Sequence, residues 1–144
     1  MDEFHAPHYY FPRDCPRICI WADQATSEQN RDRFFGHSRS TRIIAIESSW
    51  FESLTRRVLY RYEFEPQRFH LYEANAGYYT SCETQKPVKV VKMTHLHNHL
   101  LSLGIELRIT PSLQPLRENI LRSGLGTFSM IRMKNAEDAG LGLI

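Results

Sequence analysis

The sequence predicts one α+β domain, built on a mixed or antiparallel sheet with three or four short helices. A length of 144 residues suits one domain with a sizeable core. A composition of 42% hydrophobic and 24% charged residues is that of an ordinary globular protein. Short β-branched and aromatic runs, with helix signals between them, carry most of the periodicity. We expect residues 1–134 to form the domain and residues 135–144 to be a frayed tail.

Helix-start and helix-stop residues alternate with apolar runs in the first half of the chain. Pro12 ends an aromatic-rich segment, a Thr-Ser-Glu-Gln run resembles a capping box, and Ser48 or Ser49 is a suitable N-cap. The expected elements are a short helix over 3–11, a strand over 18–22, a helix up to residue 35, a strand over 42–46 and a helix around residues 50–54.

Strand signals dominate the rest of the chain. From Leu59 onward the residues alternate, so that Tyr60, Tyr62 and Phe64 share one aromatic face. Gly104 ends a later helix. The expected elements are strands over 58–64, 69–72, 77–80 and 88–93, a helix over 94–103, a strand over 105–109, a helix over 113–122 and a strand over 128–132.

Charge and cysteine content exclude several classes of protein. A net charge of +2 gives no strong nucleic-acid signal. No apolar run approaches the roughly 20 residues of a membrane span, and the first residues lack the basic and apolar regions of a signal peptide. Three cysteines, Cys15, Cys19 and Cys82, do not make a disulfide framework, which agrees with a reducing compartment. We therefore expect a cytoplasmic protein without a membrane partner.

The densest candidate site is the loop at residues 8–17, which two prolines brace. A rigid loop that presents guanidinium groups beside aromatic rings can hold a phosphate or a carboxylate. The bias of 14 arginines against 4 lysines also favours an anionic ligand. The alternative is an internal Arg–Asp pair that closes the loop. The predicted ligand-binding residues are His8, Tyr9, Tyr10, Arg13, Asp14 and Arg17.

Two further motifs favour structural roles. His95, His97 and His99 resemble a metal box, but the glutamate of H-E-x-x-H and an obvious third ligand are absent from the sequence. Ser48 and Ser49 follow a strong strand, yet no G-x-S-x-G elbow surrounds them and helix capping explains both. No metal site is expected, and no catalytic residue is assigned.

The turn before the last predicted helix is a weaker candidate. Arg108 and Arg117 flank a Thr-Pro-Ser turn, and the free N–H groups of the following helix are able to bind an anion. Capping by Thr110 or Ser112 is the alternative. Glycine-rich phosphate loops and dinucleotide fingerprints are absent from the sequence, so no cofactor is predicted.

Three blocks of the chain resemble an uncharacterised bacterial protein family. They are residues 3–17, which end in Phe-Pro-Arg-Asp-Cys-Pro-Arg, residues 60–64 with 77–81, and residues 104–117. The resemblance covers about residues 3–135. It implies that a strand with a histidine precedes the first block in the family, so we expect this chain to lack the family's N-terminal segment.

The same pattern looks faintly like the ADP-ribosyltransferase fold, through an Ala-x-x-Tyr helix and a later Tyr-x-x-Ser strand. In that superfamily a histidine, an aromatic residue and a glutamate hold and activate a nicotinamide dinucleotide. The resemblance implies that Tyr9 or Tyr10 is the aromatic residue and that the histidine lies upstream of Met1. The strand position for the glutamate is nearer Gly77 than Glu83, so the resemblance implies a degenerate site.

Two functions are therefore predicted for the chain. The first is binding of an anionic nucleotide-type ligand by a degenerate ADP-ribosyltransferase-like domain. The second is a non-catalytic protein-interaction module that uses Tyr60, Tyr62, Tyr78 and Tyr79 as interface anchors. The alternative for these tyrosines is that they pack in the core. A missing first strand would also leave a sheet edge exposed, through which oligomers can form.

Overall fold

The structure is a computed structural model that describes residues 1–138. These residues form eight strands: β1 (Arg17–Trp21), β2 (Arg42–Glu47), β3 (Leu59–Glu63), β4 (His70–Glu73), β5 (Tyr78–Thr80), β6 (Lys89–Met93), β7 (Glu106–Thr110) and β8 (Phe128–Ile131). The same part of the chain contains four α-helices: α1 (Glu28–Phe35), α2 (Phe51–Arg56), α3 (Leu96–Ser102) and α4 (Gln114–Ser123).

The central sheet has the strand order β7-β2-β1-β8. Strand β1 is antiparallel to both β2 and β8, whereas β2 and β7 are parallel. Two antiparallel ribbons, β3–β6 and β4–β5, stand beside this sheet. The predicted α+β class with a mixed sheet is thus confirmed, and every predicted strand is present.

Both faces of the central sheet are covered, because alternate side chains of β1 and β2 point to opposite sides. On one side Cys19, Ile44 and Ile46 pack with buried residues of α2 and α3. On the other side Ile18 and Ile43 pack with buried residues of α1 and α4. Each fully buried aliphatic side chain contributes about 1.5–3 kcal/mol by leaving water, so these two layers hold the sheet in place.

The predicted helix over residues 3–11 is wrong in its extent, because only a 3₁₀ turn, Ala6–Tyr9, forms there. Pro7 lies in the first turn and has no N–H to donate, and Pro12 disfavours helical backbone at Phe11. Ser27 caps α1 as expected, since its Oγ accepts the N–H of Asn30 at 3.2 Å. The expected serine cap of α2 is absent, because Ser48 and Ser49 lie in a 3₁₀ turn before the helix.

The end of the described chain is tied to the domain by Glu47, a fully buried carboxylate at the end of β2. Glu47 accepts the backbone N–H of Leu113 at 3.1 Å and that of Glu137 at 3.0 Å. Asn135 also donates to the Asp14 carbonyl at 2.8 Å. Residues 135–138 of the predicted tail therefore lie against the domain, and the remainder of that tail lies outside the described residues.

Candidate functional site

The loop at residues 8–17 is organised around the side chain of Arg17, which is only 3% exposed. Its Nε donates to the His8 carbonyl at 2.6 Å, and its Nη1 donates to the Cys15 carbonyl at 2.8 Å. Its guanidinium carbon lies 5.5 Å from the ring centre of Tyr9 and 5.1 Å from that of Phe11. Charged hydrogen bonds and cation–π contacts therefore close the loop around Arg17. The alternative of an internal Arg–Asp pair is therefore wrong for Arg17, which carbonyl oxygens hold instead.

The buried charge of Arg17 has no carboxylate partner among residues 1–138. Burial lowers the pKa of Arg17, and the positive charge of Arg132 acts in the same direction. The neighbouring thiols do not balance this charge, because burial raises the pKa of Cys15 and of Cys19 to about 12 and both are neutral at pH 7. Since a guanidinium keeps its proton in proteins, Arg17 is a buried cation that carbonyl oxygens hold, without an ion pair in residues 1–138, and the buried carboxylate of Glu47 acts on the same Cys15.

His8 is buried in an aromatic cluster with Phe4, His5 and Trp21. The centres of the Phe4, His5 and Trp21 rings lie between 5.4 and 6.2 Å from that of His8. Burial, followed by the charge of nearby Arg42, lowers the pKa of His8 to about 3. His8 is therefore a neutral packing residue at pH 7.

An open groove of about 390 Å³ lies between the N-terminal loop, the β4–β5 ribbon and β8. Its lining consists of Tyr9, Ala76, Tyr78 and the four residues 129–132. Strand β8 is an edge strand, so its outer side keeps backbone donors and acceptors that no neighbouring strand pairs. The ribbon is held beside β8 by Asn75, whose Nδ2 donates to the Phe128 carbonyl at 3.3 Å.

Tyr9 and Tyr78 form one wall of this groove. Their hydroxyl groups are hydrogen-bonded to each other, and their ring centres lie 6.0 Å apart. Burial, with the hydrogen bond to Tyr78 as the next cause, raises the pKa of Tyr9. Tyr9 is therefore neutral at physiological pH, and the bond between the two hydroxyls uses one of their O–H groups, which leaves the other free to donate to a ligand.

Arg132 stands at the end of β8, where the groove opens to solvent. Its backbone has a φ of 55°, which lies in the left-handed region that residues other than glycine seldom adopt. Within residues 1–138 its side chain has neither an ion pair nor a hydrogen bond. A strained residue that presents a free guanidinium beside a groove is a functional candidate on physical grounds.

The predicted ligand-binding residues do not converge on one surface. Tyr9 lines the groove, and Arg17 lies behind it. The hydroxyl of Tyr10 accepts a hydrogen bond from Arg61 Nη1 at 3.2 Å, outside the groove. Arg13 and Asp14 are exposed on the turn of the loop.

Sequence reasoning missed two contributors to the groove, Tyr78 as a wall and Arg132 as the free cation. The only sequence signal for Arg132 is an arginine at the end of a predicted strand. Tyr78 lies 69 residues from Tyr9, so only the tertiary structure shows that they meet.

The other motifs have mostly structural surroundings. No group of three His, Cys, Asp or Glu side chains within residues 1–138 is placed to hold a metal ion. Arg108 donates to Glu106 at 2.7 Å. The start of α4 is already occupied, because Glu47 accepts the N–H of Leu113 and Ser112 accepts that of Gln114.

The four tyrosines of the interaction hypothesis are at the surface. Tyr60, Tyr62, Tyr78 and Tyr79 are between 37% and 58% exposed. The alternative that they pack in the core is therefore wrong.

The fold and the groove define a small α+β domain with an arginine-flanked cleft beside an edge strand. The chain belongs to a family of unknown function, DUF6886, whose model matches residues 1–136. No curated protein and no solved structure matches the chain. None of the helices in the described residues is long and apolar enough to cross a membrane.

Proposed function

We propose that this domain binds an anionic nucleotide-type ligand in the groove between Tyr9, Tyr78 and Arg132. The observation that carries the proposal is the pair of guanidinium groups, Arg17 and Arg132, neither of which forms an ion pair within residues 1–138. A phosphate in the groove would accept charged hydrogen bonds from the exposed guanidinium of Arg132 and would also be attracted by the buried charge of Arg17.

Each part of the groove suits one part of such a ligand. Arg132 is free to form bidentate hydrogen bonds to a phosphate group. The unpaired side of β8 offers backbone N–H groups, and the ring of Tyr78 offers a face on which a base stacks. Arg17 contributes its charge from behind Tyr9, since its own donors already hold the loop.

A degenerate ADP-ribosyltransferase-like domain is the form of this function that we favour. The sequence resemblance supports it, together with Tyr9, which lies at the groove as the aromatic residue of that superfamily would. The lining residues include no aspartate or glutamate, which favours binding without group transfer. A bacterial cytoplasmic setting belongs to the same proposal and agrees with the unpaired thiols of Cys15, Cys19 and Cys82.

Calorimetric titration with NAD, ADP-ribose and ATP tests the proposal on the wild-type chain and on Arg132→Gln. Loss of one charged hydrogen-bond donor weakens binding by about 1.5–3 kcal/mol, which is roughly 10- to 150-fold. Arg122→Gln is the matched control, because Arg122 is an exposed arginine on α4, outside the groove. The proposal fails if none of the ligands binds, or if both variants bind as tightly as the wild type.

A protein-interaction module is the second candidate function. The exposure of Tyr60 and Tyr62 on the β3–β6 ribbon favours it, because exposed aromatic pairs are typical of interface anchors. This function does not require the groove, so the two candidates are separable by experiment.

A further inference from the structure

One face of the β3–β6 ribbon is apolar and uncovered. Cross-strand pairing places Tyr60 opposite Lys92 and Tyr62 opposite Val90, and the ribbon continues to Phe64 and Val88. The five apolar members of this set are between 40% and 60% exposed. We call these six residues the ribbon face.

At the end of the ribbon where Glu63 pairs with Lys89, charged side chains point towards the domain and apolar side chains point outward. The side that faces the domain carries the Arg61–Glu63 ion pair, with N–O at 2.6 Å, and then Lys89. Leu59, Val91 and Met93 of this inward side pack against the core, whereas the apolar residues near the Glu63 end, Tyr62, Phe64, Val88 and Val90, are on the outer side. A two-stranded ribbon on a domain surface normally turns its apolar side inward, so this pattern indicates that the outer side is buried in an assembly.

We infer that the ribbon face is the contact between two copies of this chain, related by a twofold axis. The five apolar side chains expose about 450–500 Å², from the usual areas of aromatic and aliphatic residues. Two such faces bury about 1,000 Å² together, which reaches the lower limit for a specific interface. The expected dimer is therefore weak and depends on concentration.

A second copy suits this face better than a charged partner does. Lys92 is the only charged residue of the face and lies at its end, where it remains in solvent at the rim. A twofold axis places the ribbon face of one copy against the ribbon face of the other, so an apolar face of this kind meets a surface of the same chemistry. The inference rests on the second candidate function and is independent of the ligand proposed for the groove.

Sedimentation velocity of the wild-type chain, from about 1 to 500 µM, tests the inference. We expect the mean mass to rise from one chain towards two across this range. Tyr62→Ser and Val90→Thr should each raise the midpoint of that rise by about tenfold or more. Val90→Thr keeps a β-branched residue in the strand, so it guards against loss of folding, which a thermal melt monitors.

Leu121→Ser is the matched control, because Leu121 is 54% exposed on α4 and lies outside the ribbon face. Three results would overturn the inference. The wild-type chain stays monomeric, or neither face variant weakens the dimer, or Leu121→Ser weakens the dimer as much as the face variants do. If the chain is monomeric but binds an apolar dye through Tyr62 and Val90, the dimer is excluded and the protein-interaction function is still supported. If the chain is monomeric and binds no dye there, both the dimer and the protein-interaction function are excluded. Nucleotide titration of the same samples tests the groove separately.

Discussion

Mild acid should destabilise this protein through His8. The pKa of His8 is lowered from 6.5 to about 3 in the folded chain, primarily because the ring is buried. The unfolded chain takes up this proton near pH 6.5, whereas the folded chain does not until about pH 3. Stability therefore falls as the pH falls through this window, by up to about 1.4 kcal/mol for each pH unit. Between pH 7 and pH 5 the loss that comes from His8 is about 2 kcal/mol.

Urea unfolding at pH 7, 6 and 5 measures this contribution. Across the same pH range, the free energy of unfolding of His8→Gln should fall by about 2 kcal/mol less than that of the wild type, because glutamine takes up no proton. This difference does not depend on how stable the variant is at pH 7. His37→Gln is the control, since His37 is exposed, and it should follow the wild type. Burial acts to raise the pKa of Asp2, but its hydrogen bonds with His5 together outweigh burial and lower that pKa, so Asp2 adds little to the loss of stability above pH 5. An equal pH dependence for His8→Gln and the wild type would refute the reasoning.

Three further predictions follow from buried contacts. Glu47→Gln should lower the free energy of unfolding by about 1.5–3 kcal/mol in urea melts, because one acceptor oxygen is replaced by a donor that faces the N–H of Glu137. An unchanged urea midpoint would contradict this. In the folded chain, Cys82 alone should react rapidly with a thiol reagent at pH 8, since the thiols of Cys15 and Cys19 are buried. All three should react in urea, and rapid reaction of more than one thiol in the folded chain would contradict the prediction. Gly77→Ala should cost about 1–3 kcal/mol more than Gly104→Ala in thermal or urea melts, because both glycines have positive φ but only at Gly77 would an added Cβ clash with the ring of His5. Equal costs would contradict this.

The elements of the fold were predictable because each has a local cause. Residues 42–46 are β-branched and apolar, and Gly104 ends a helix after a run of leucines. The N-terminal segment was not predictable, because Pro7 prevents a helix that begins at residue 3 and Pro12 disfavours helical backbone at Phe11, although the aromatic residues suggest a helix. The parallel pairing of β2 with β7 also has no local signal, because it joins segments about 60 residues apart.

The candidate groove was predictable only in part, because its walls come from distant parts of the chain. The dense loop around Arg17 pointed to the right region, and Tyr9 lines the groove. Arg17 itself is buried by carbonyl contacts that no spacing rule shows. Arg132 and Tyr78 reach the same place through sheet pairing and a ribbon turn, which are products of packing.

The most direct test of the central claim is an amide NMR titration of the wild-type chain with ADP-ribose. The proposal predicts saturable shifts for the amides of residues 129–132 and of Tyr78, with little change in α1, which contributes no residue to the lining of the groove. Saturable shifts confined to other surfaces, or no shifts at all at millimolar ligand, would contradict the claim that this groove is the binding site.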